Sequence, residues 1–531
     1  LASRGSSGVL AGLLTRCTVL ILVPLFPAMA QAEHDDHDRS LRLKDVFSLS
    51  YASSPIVAGD GKTVYYLRHS MDGVSDRRRA NLWAIDLSTG AQTAVTTGAQ
   101  SISSPALAPD DRNLAYVARD DVGSQLFVQN LTTGRVAQLT RGTQQPKNLS
   151  WSPDGKSIAF VMRVPVDPPV MGKLPKAPKG ADWAPPPIVV DRMVYRIDGA
   201  GVRPRAFYQL FVISADGGAP RQLTHGPYDH DGRIGWSPDS SSLFFSANRN
   251  EDGELDVVNS DLYRLDLAST ELAKLVDRAG PDEFAAISDD GEQILFVGFE
   301  DRKLSYQRNH LYLMNSDGTG IRELASELDR SIYAVRWSPE GRRALFLYDD
   351  KGDTILAAAD RQGAVTVLYR GLGGLSLGRP YSGAAFAAVD EKHFIVTQGT
   401  TARPADLAIV AATQSSKRLT ALNDTWMAAR QLGAVEERGL ESSADGTPIQ
   451  AWIAYPPNFD PKKSYPLILE IHGGPHTNYG ARFSAEVQLY AAAGYVVVYA
   501  NPRGSTSYGE EFANLIHHNY PSEDYDDLIS V

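Results

Sequence analysis

The chain alternates short polar turns with apolar runs of strand length, and the alternation repeats. Three clear copies of the turn are Trp151-Ser152-Pro153-Asp154-Gly155, Trp236-Ser237-Pro238-Asp239 and Trp337-Ser338-Pro339-Glu340-Gly341. Weaker copies begin at Ala58, Ala108, Ser288 and Ala388. Proline presets φ at the second turn position, aspartate bonds its own backbone and glycine takes a positive φ. Each turn leads into an apolar run such as Ile158-Ala159-Phe160-Val161 or Ala344-Leu345-Phe346-Leu347. A second strand signature recurs between turns, as in Leu82-Trp83-Ala84-Ile85, Leu210-Phe211-Val212-Ile213 and Leu311-Tyr312-Leu313-Met314. With turns near 58, 108, 152, 237, 288, 338 and 388, the usual period is 44 to 51 residues. Several strands per unit at that period predict propeller blades. Seven units predict a seven-bladed β-propeller over residues 50–430.

One interval is longer, 85 residues, and its excess falls in 164–205. This segment is rich in proline and predicts an extended excursion from one blade. It is open to several readings: a lid, a contact between copies of the chain, or a plain surface loop.

The pattern changes near Gln431. Strands are expected at 449–455, 466–471 and 495–499, with helices at 484–493, 508–518 and from 524 onward. Alternating buried strands and helices indicate an α/β layer. The expected fold class is therefore mixed: a seven-bladed β-propeller followed by an incomplete α/β-hydrolase domain at 431–531.

Composition narrows the function. The 531 residues carry a net charge of -11, which disfavours nucleic-acid binding. Residues 1–32 read as a secretory signal: Arg4 and Arg16 precede an apolar run from Cys17 to Phe26, then Ala28-Met29-Ala30. The run is too short to span a bilayer, and no other segment is apolar enough. The single cysteine, Cys17, lies within the signal, so a mature chain has no disulfide. Export without disulfides fits a periplasmic or secreted protein. Residues 33–49 read as a tail and linker; the run His34-Asp35-Asp36-His37-Asp38 fits a solvated terminus better than a metal tether.

Two motifs carry chemistry. His472-Gly473-Gly474-Pro475 directly follows the predicted strand 466–471. Glycine lets a backbone amide approach a developing oxyanion. Thirty residues later, Asn501-Pro502-Arg503-Gly504-Ser505-Thr506-Ser507-Tyr508-Gly509 follows a second buried strand. The pair, with a helix between, resembles the prolyl oligopeptidase family of serine peptidases, and most closely its acylaminoacyl-peptidase and bacterial dipeptidyl-peptidase branch.

The resemblance implies a propeller ahead of a hydrolase, a Ser-Asp-His triad, short peptide substrates, and no metal or organic cofactor. Gly473 and Gly474, with His472, become oxyanion-hole candidates; Arg503 and Tyr508 become candidate substrate-binding residues. Dipeptidyl peptidases of this family hold the substrate amine with propeller carboxylates, which makes Glu254 and Glu251 candidates as well. The family's nucleophile lies beyond a helix matched by Asp524-Tyr525-Asp526-Asp527-Leu528, so the triad is expected after Val531, and this chain alone is expected to be inactive.

Gly374-Leu375-Ser376-Leu377-Gly378 fits Gly-x-Ser-x-Gly literally, but it falls among the blades, where neither strand before nor helix after is expected. The loop Asn248 to Asn259 partly mimics a calcium loop, but Asn259 stands where a bidentate glutamate is needed. His517 and His518, adjacent on a helix, point about 100° apart and share no ligand face. Two rival functions remain: a periplasmic scaffold built on the propeller, and an esterase on the same hydrolase fold. Self-association is left open.

Overall fold

The computed structural model describes residues 39–167, 172, 175–184, 188–199 and 201–531. The predicted signal peptide and the His34–Asp38 run lie outside the described residues. Residues 40–531 form one compact unit.

Seven four-stranded antiparallel sheets follow one another, spanning 50–94, 103–138, 147–222, 235–274, 282–324, 332–372 and 386–418. All seven recurring turns join the first strand of a sheet to the second. Serine adds a function to the turn that its sequence does not advertise. Ser152 Oγ donates to Asp154 at 2.6 Å and accepts the Ser157 amide at 2.9 Å, and Ser237 and Ser288 repeat the arrangement. The tryptophan before the turn ties sheets together: Trp151 Nε1 donates to Ala106 O in the second sheet, and Trp236 Nε1 to Ser150 O in the third.

Apolar runs, rather than strict alternation, arise because both faces of a sheet are covered. In Ser242–Ala247 all six residues are buried. Phe245 packs toward the third sheet and Phe244 toward the fifth. Seven apolar clusters fill the contacts between neighbouring sheets, and one of them joins Ala52, Val64, Tyr66 and Ile85 of the first sheet to Ile395 and Leu407 of the seventh.

The 164–205 excursion leaves between the second and third strands of the third sheet, Ser157–Pro165 and Ala206–Ser214. It carries a small hairpin, Arg196–Ile197 with Gly201–Val202. Its residues Ile188, Val190, Met193 and Tyr195 are exposed.

After the helix Asp424–Ala428, an eighth sheet has the order 435–441, 448–454, 496–501, 467–470. The last two strands are parallel and the other pairs antiparallel. The helix Ala485–Ala492 connects the parallel strands, and Ser484 caps it by accepting the Val487 amide at 3.1 Å. Val487 and Tyr490 pack on Trp452 and Tyr499.

Two expectations need correction. The helix expected at 508–518 is Glu510–Asn514, followed by turns, with His518 at φ +52°. The Gly374–Gly378 match does follow a strand, Val365–Leu372, but it runs on as irregular chain to Phe386–Ala388 with no helix after it. The missing helix, not a missing strand, is what disqualifies it as a nucleophile elbow.

Candidate functional site

Two loops leave the carboxyl ends of the parallel strands Leu467–Glu470 and Val496–Asn501, where open α/β sheets place their ligands. Side chains bind these loops to each other. His472 is buried, with Nε2 3.0 Å from Ser505 Oγ, and its ring meets Tyr479 edge-on. Ser505 is fully buried and donates to Pro502 O at 2.6 Å, so His472 Nε2 carries the proton and Ser505 Oγ accepts it. Burial lowers the His472 pKa, which keeps the ring neutral. The pair looks like a nucleophile and base, yet the serine has no access to a substrate. It acts as a clasp.

Further bonds repeat the clasp. His476 Nδ1 lies 3.0 Å from Gly504 O, and the Thr506 amide donates to Thr477 O at 3.0 Å. Asn501 accepts the Tyr479 amide at 2.8 Å and donates to Tyr479 O at 2.9 Å. Its Nδ2 also donates to the Tyr508 hydroxyl at 2.8 Å. That hydroxyl in turn bonds Gln450, and burial raises its pKa. Tyr508 is therefore engaged on both sides.

Arg503 is also held internally. Its guanidinium binds Asp527, Asp445 and Ser442 Oγ, and its side chain is only 4% exposed. This fastens the loop to the helix Asp524–Ser530 and to the turn after Val435–Glu441. The sequence reading offered Arg503 to substrate; the structure gives its donors to two carboxylates instead. The partners are acidic residues at remote positions, and nothing in the local motif announces them.

Gly473 and Gly474 differ from their neighbours. Both are exposed, and their amides donate no hydrogen bond among the described residues. A Cβ placed on Gly473 would meet nothing within 4 Å, and Gly474 has φ +138°. They are open backbone donors at the end of a strand.

The connections between second and third strands of the fifth, sixth and seventh sheets touch the hydrolase segment. In the fifth sheet, Tyr306 lies 5.5 Å from the His476 ring and exchanges backbone–side-chain bonds with Asn514. In the sixth, the Gly352 amide donates to Ser507 Oγ at 2.8 Å, and in the seventh, Thr401 O lies 3.5 Å from Gln488 Nε2. The loop bearing Glu251 and Glu254 is the equivalent connection of the fourth sheet, and the 164–205 excursion that of the third. Lys303, in the fifth-sheet connection, pairs with Asp256 at 3.4 Å, joining the acidic loop to the segment that touches His476.

Glu251 and Glu254 line a cavity of about 550 Å³ with Asp229, Arg192 and Arg203. Glu254 accepts Arg192 Nε at 2.6 Å and the Met193 amide at 3.1 Å. Arg192 was not singled out by sequence, because the excursion carries no motif. Asn248 closes the loop on itself by donating to Gly253 O and Asp256 O. No cluster suited to a metal ion occurs among the described residues. No helix there is long and apolar enough to cross a membrane.

Residues 481–531 match the profile of the prolyl oligopeptidase family, and 193–306 that of the dipeptidyl peptidase IV N-terminal region. In these two segments the chain is similar to the prolyl oligopeptidase family. It is 28% identical to the uncharacterized peptidase YuxL of Bacillus subtilis, over 92% of this chain and 74% of that one. It is 27% identical to dipeptidyl-peptidase 5 of Aspergillus fumigatus over 55% of this chain, spanning 42% of that protein. Its fold is like that of Pyrococcus horikoshii acylaminoacyl peptidase, with a TM-score of 0.72 at 19% identity, covering 92% of this chain and 70% of that one. A puromycin-hydrolyzing peptidase of Mycobacterium tuberculosis aligns with a TM-score of 0.62 at 15% identity, covering 93% and 72%. These neighbours join a propeller to a hydrolase, and the family is one of serine peptidases acting on peptides.

Proposed function

We propose that this protein is a secreted or periplasmic serine exo- or oligopeptidase whose propeller limits access to short peptides. In this reading residues 50–430 are a closed seven-bladed propeller with the 164–205 insertion, and 431–531 begin the α/β-hydrolase. The seventh-to-first apolar cluster supports the closed ring. Residues 1–32 act as the signal peptide and 33–49 as a tail and linker.

The observation that carries the reading is the free state of the Gly473 and Gly474 amides, held in place by the His472–Ser505 clasp. Such a donor is worth about 3–4 kcal/mol to a tetrahedral oxyanion. The reading assigns no nucleophile, acid or base to residues 431–531. The strand bearing the serine would pair beside Leu467–Glu470, an edge strand whose first residue, Leu467, and the following Ile471 are 63% and 47% exposed. Glu254 or Glu251 would hold the substrate amine.

The test uses the whole gene product beside the 531-residue chain. Dipeptidyl and N-acyl-aminoacyl p-nitroanilides and the matching esters serve as substrates, and a fluorophosphonate probe marks the nucleophile. Amide hydrolysis by the gene product alone, with the probe on a serine beyond Val531, is the expected result. Cleavage of esters but no amide would overturn it in favour of an esterase, and no turnover or labelling in favour of a scaffold.

A further inference from the structure

Arg233 precedes the first strand of the fourth sheet, Gly235–Trp236, and Arg336 lies in the first strand of the sixth, Ile332–Trp337. The fifth sheet separates those two sheets in sequence and packing. Arg233 Nη1 nevertheless donates to Val335 O at 2.9 Å. It thus reaches past the fifth sheet to the residue just before Arg336. The Arg336 guanidinium lies 4.4 Å from the Phe386 ring centroid, on the first strand of the seventh sheet. Three first strands therefore meet at one place, as first strands lining the axis of a ring would.

Neither arginine makes an ion pair among the described residues, and Arg336 Nε has no hydrogen-bond partner there. Of the other charges nearby, Lys147 is paired and Glu283, among the described residues, is not. Lys147 pairs with Asp231 at 3.1 Å and lies over the Tyr208 ring. Glu283 has its pKa raised by burial and by Asp231. Burial and the charge of Arg233 lower Arg336 to about 10. Burial lowers Arg233 as well, although its side chain is open to solvent. A solvent-accessible group that is nonetheless surrounded by protein fits a water-filled interior. Two guanidiniums held together without a counter-ion are costly unless an anion joins them.

We propose that Arg233 and Arg336 bind a carboxylate of a peptide within the axis of the ring. The proposal rests on the closed-propeller reading and adds a substrate subsite to it. Guanidinium forks match carboxylate geometry, and the open donors of Arg233 leave one side free for it. The carboxylate is either a peptide C-terminus or an acidic side chain.

The test reads binding to the 531-residue chain by fluorescence anisotropy, so it needs no catalysis and stands even if the gene product proves inactive. The probes are N-dansyl-tetraalanine with a free C-terminus, its C-terminal amide, and an amide with an internal glutamate. The blocked amine keeps the acidic loop out of the measurement. At least one carboxylate peptide should bind about tenfold more tightly than the plain amide, a difference of about 1.4 kcal/mol. Which one does so identifies the source. Arg233→Gln and Arg336→Gln should each erase the difference. The solvent-facing Arg233→Gln carries the test if Arg336→Gln fails to fold. Equal binding of all three probes, no binding of any, or an unchanged preference in the folded variants would overturn the proposal.

Discussion

Arg503 and Asp527 are joined by three hydrogen bonds: the Arg503 amide and Nε reach Oδ2 at 2.8 and 2.9 Å, and Nη2 reaches Oδ1 at 2.9 Å. Asp527 is fully buried. The pair fixes the second loop of the site to the helix Asp524–Ser530. Removing one member of a buried pair leaves the other charge without compensation, at a cost of about 3–5 kcal/mol. Asp527→Asn is expected to lower stability by that order in urea unfolding. Asp445, the exposed third member, is held at about 2 by hydrogen bonds from Arg503 and Thr447. Its folded pKa is depressed, so its contribution is present above its ordinary value of 3.8 and is lost as pH falls toward 2. Asp445→Asn should remove that contribution above pH 3.8, and with it the fall in stability between 3.8 and 2.

Much of this architecture is legible in the turns. Some combination of proline, aspartate and glycine marks each of the seven first-to-second strand junctions, because their preferences are local. Three of the four hydrolase strands and the helix after Ser484 are legible for the same reason; Val435–Glu441, mostly exposed and charged, is not. What escapes is long-range. Arg503 resembles a substrate ligand in its motif, and only the folded chain shows Asp445 and Asp527 on its guanidinium. His472 and Ser505 lie 33 positions apart, and their burial, which decides that they clasp rather than react, has no sequence mark. Arg233 and Arg336 lie on different sheets, and nothing in either segment reveals that Arg233 reaches the carbonyl beside Arg336. Acidic and basic ends suggest a helix over 508–518, but it stops at Asn514, and Asn514 and His517 bond to Tyr306 and Ser305 instead.

Glu254 tests the proposed amine subsite. Its carboxylate already bonds Arg192 and the Met193 amide, so an arriving ammonium must share or displace a guanidinium. In the gene product, Glu254→Gln should raise KM for a free-amine dipeptidyl amide about tenfold, in line with a lost charge-assisted hydrogen bond, and leave an N-acylated substrate unchanged. Equal effects on both substrates would assign Glu254 to holding the excursion through Arg192 instead.

The joint between the sixth sheet and the hydrolase segment depends on bare backbone. Gly352 sits at φ +78°, and a Cβ there would lie 2.8 Å from Tyr479 O and 3.0 Å from the Trp452 ring. A Cβ on Gly480 would fall inside contact distance of Gly352 O. Arg482 is buried close by, paired with Asp353 at 3.6 Å. Gly352→Ala therefore combines a left-handed backbone with overpacking. A loss of about 2–4 kcal/mol is expected. Limited proteolysis should cut the variant first near 350–353 or 478–482, whereas alanine at the open, exposed Gly446 turn should leave the joint intact.

His230 predicts how the molecule meets acid. It is fully buried, with Nδ1 3.0 Å from Tyr208 O and Nε2 2.6 Å from Arg249 Nη1. Arg249 can only donate, so Nε2 accepts and Nδ1 carries the proton to the carbonyl. A second proton would set Nε2–H against the guanidinium. Burial accordingly pushes the ring down to about 4 from 6.5. The unfolded chain then binds a proton that the folded chain refuses between those values. Stability is thus full above about 6.5 and declines as pH falls toward 4, by about 3 kcal/mol for this ring. His69, half-buried and stacked on Tyr51, is likewise near 4 and adds to the same window. Thermal unfolding should show a midpoint that falls between pH 6.5 and 4. In His230→Gln, whose amide can still donate to Tyr208 O and accept from Arg249, that fall should shrink; an unchanged pH profile would show that His230 is not the acid-sensitive group.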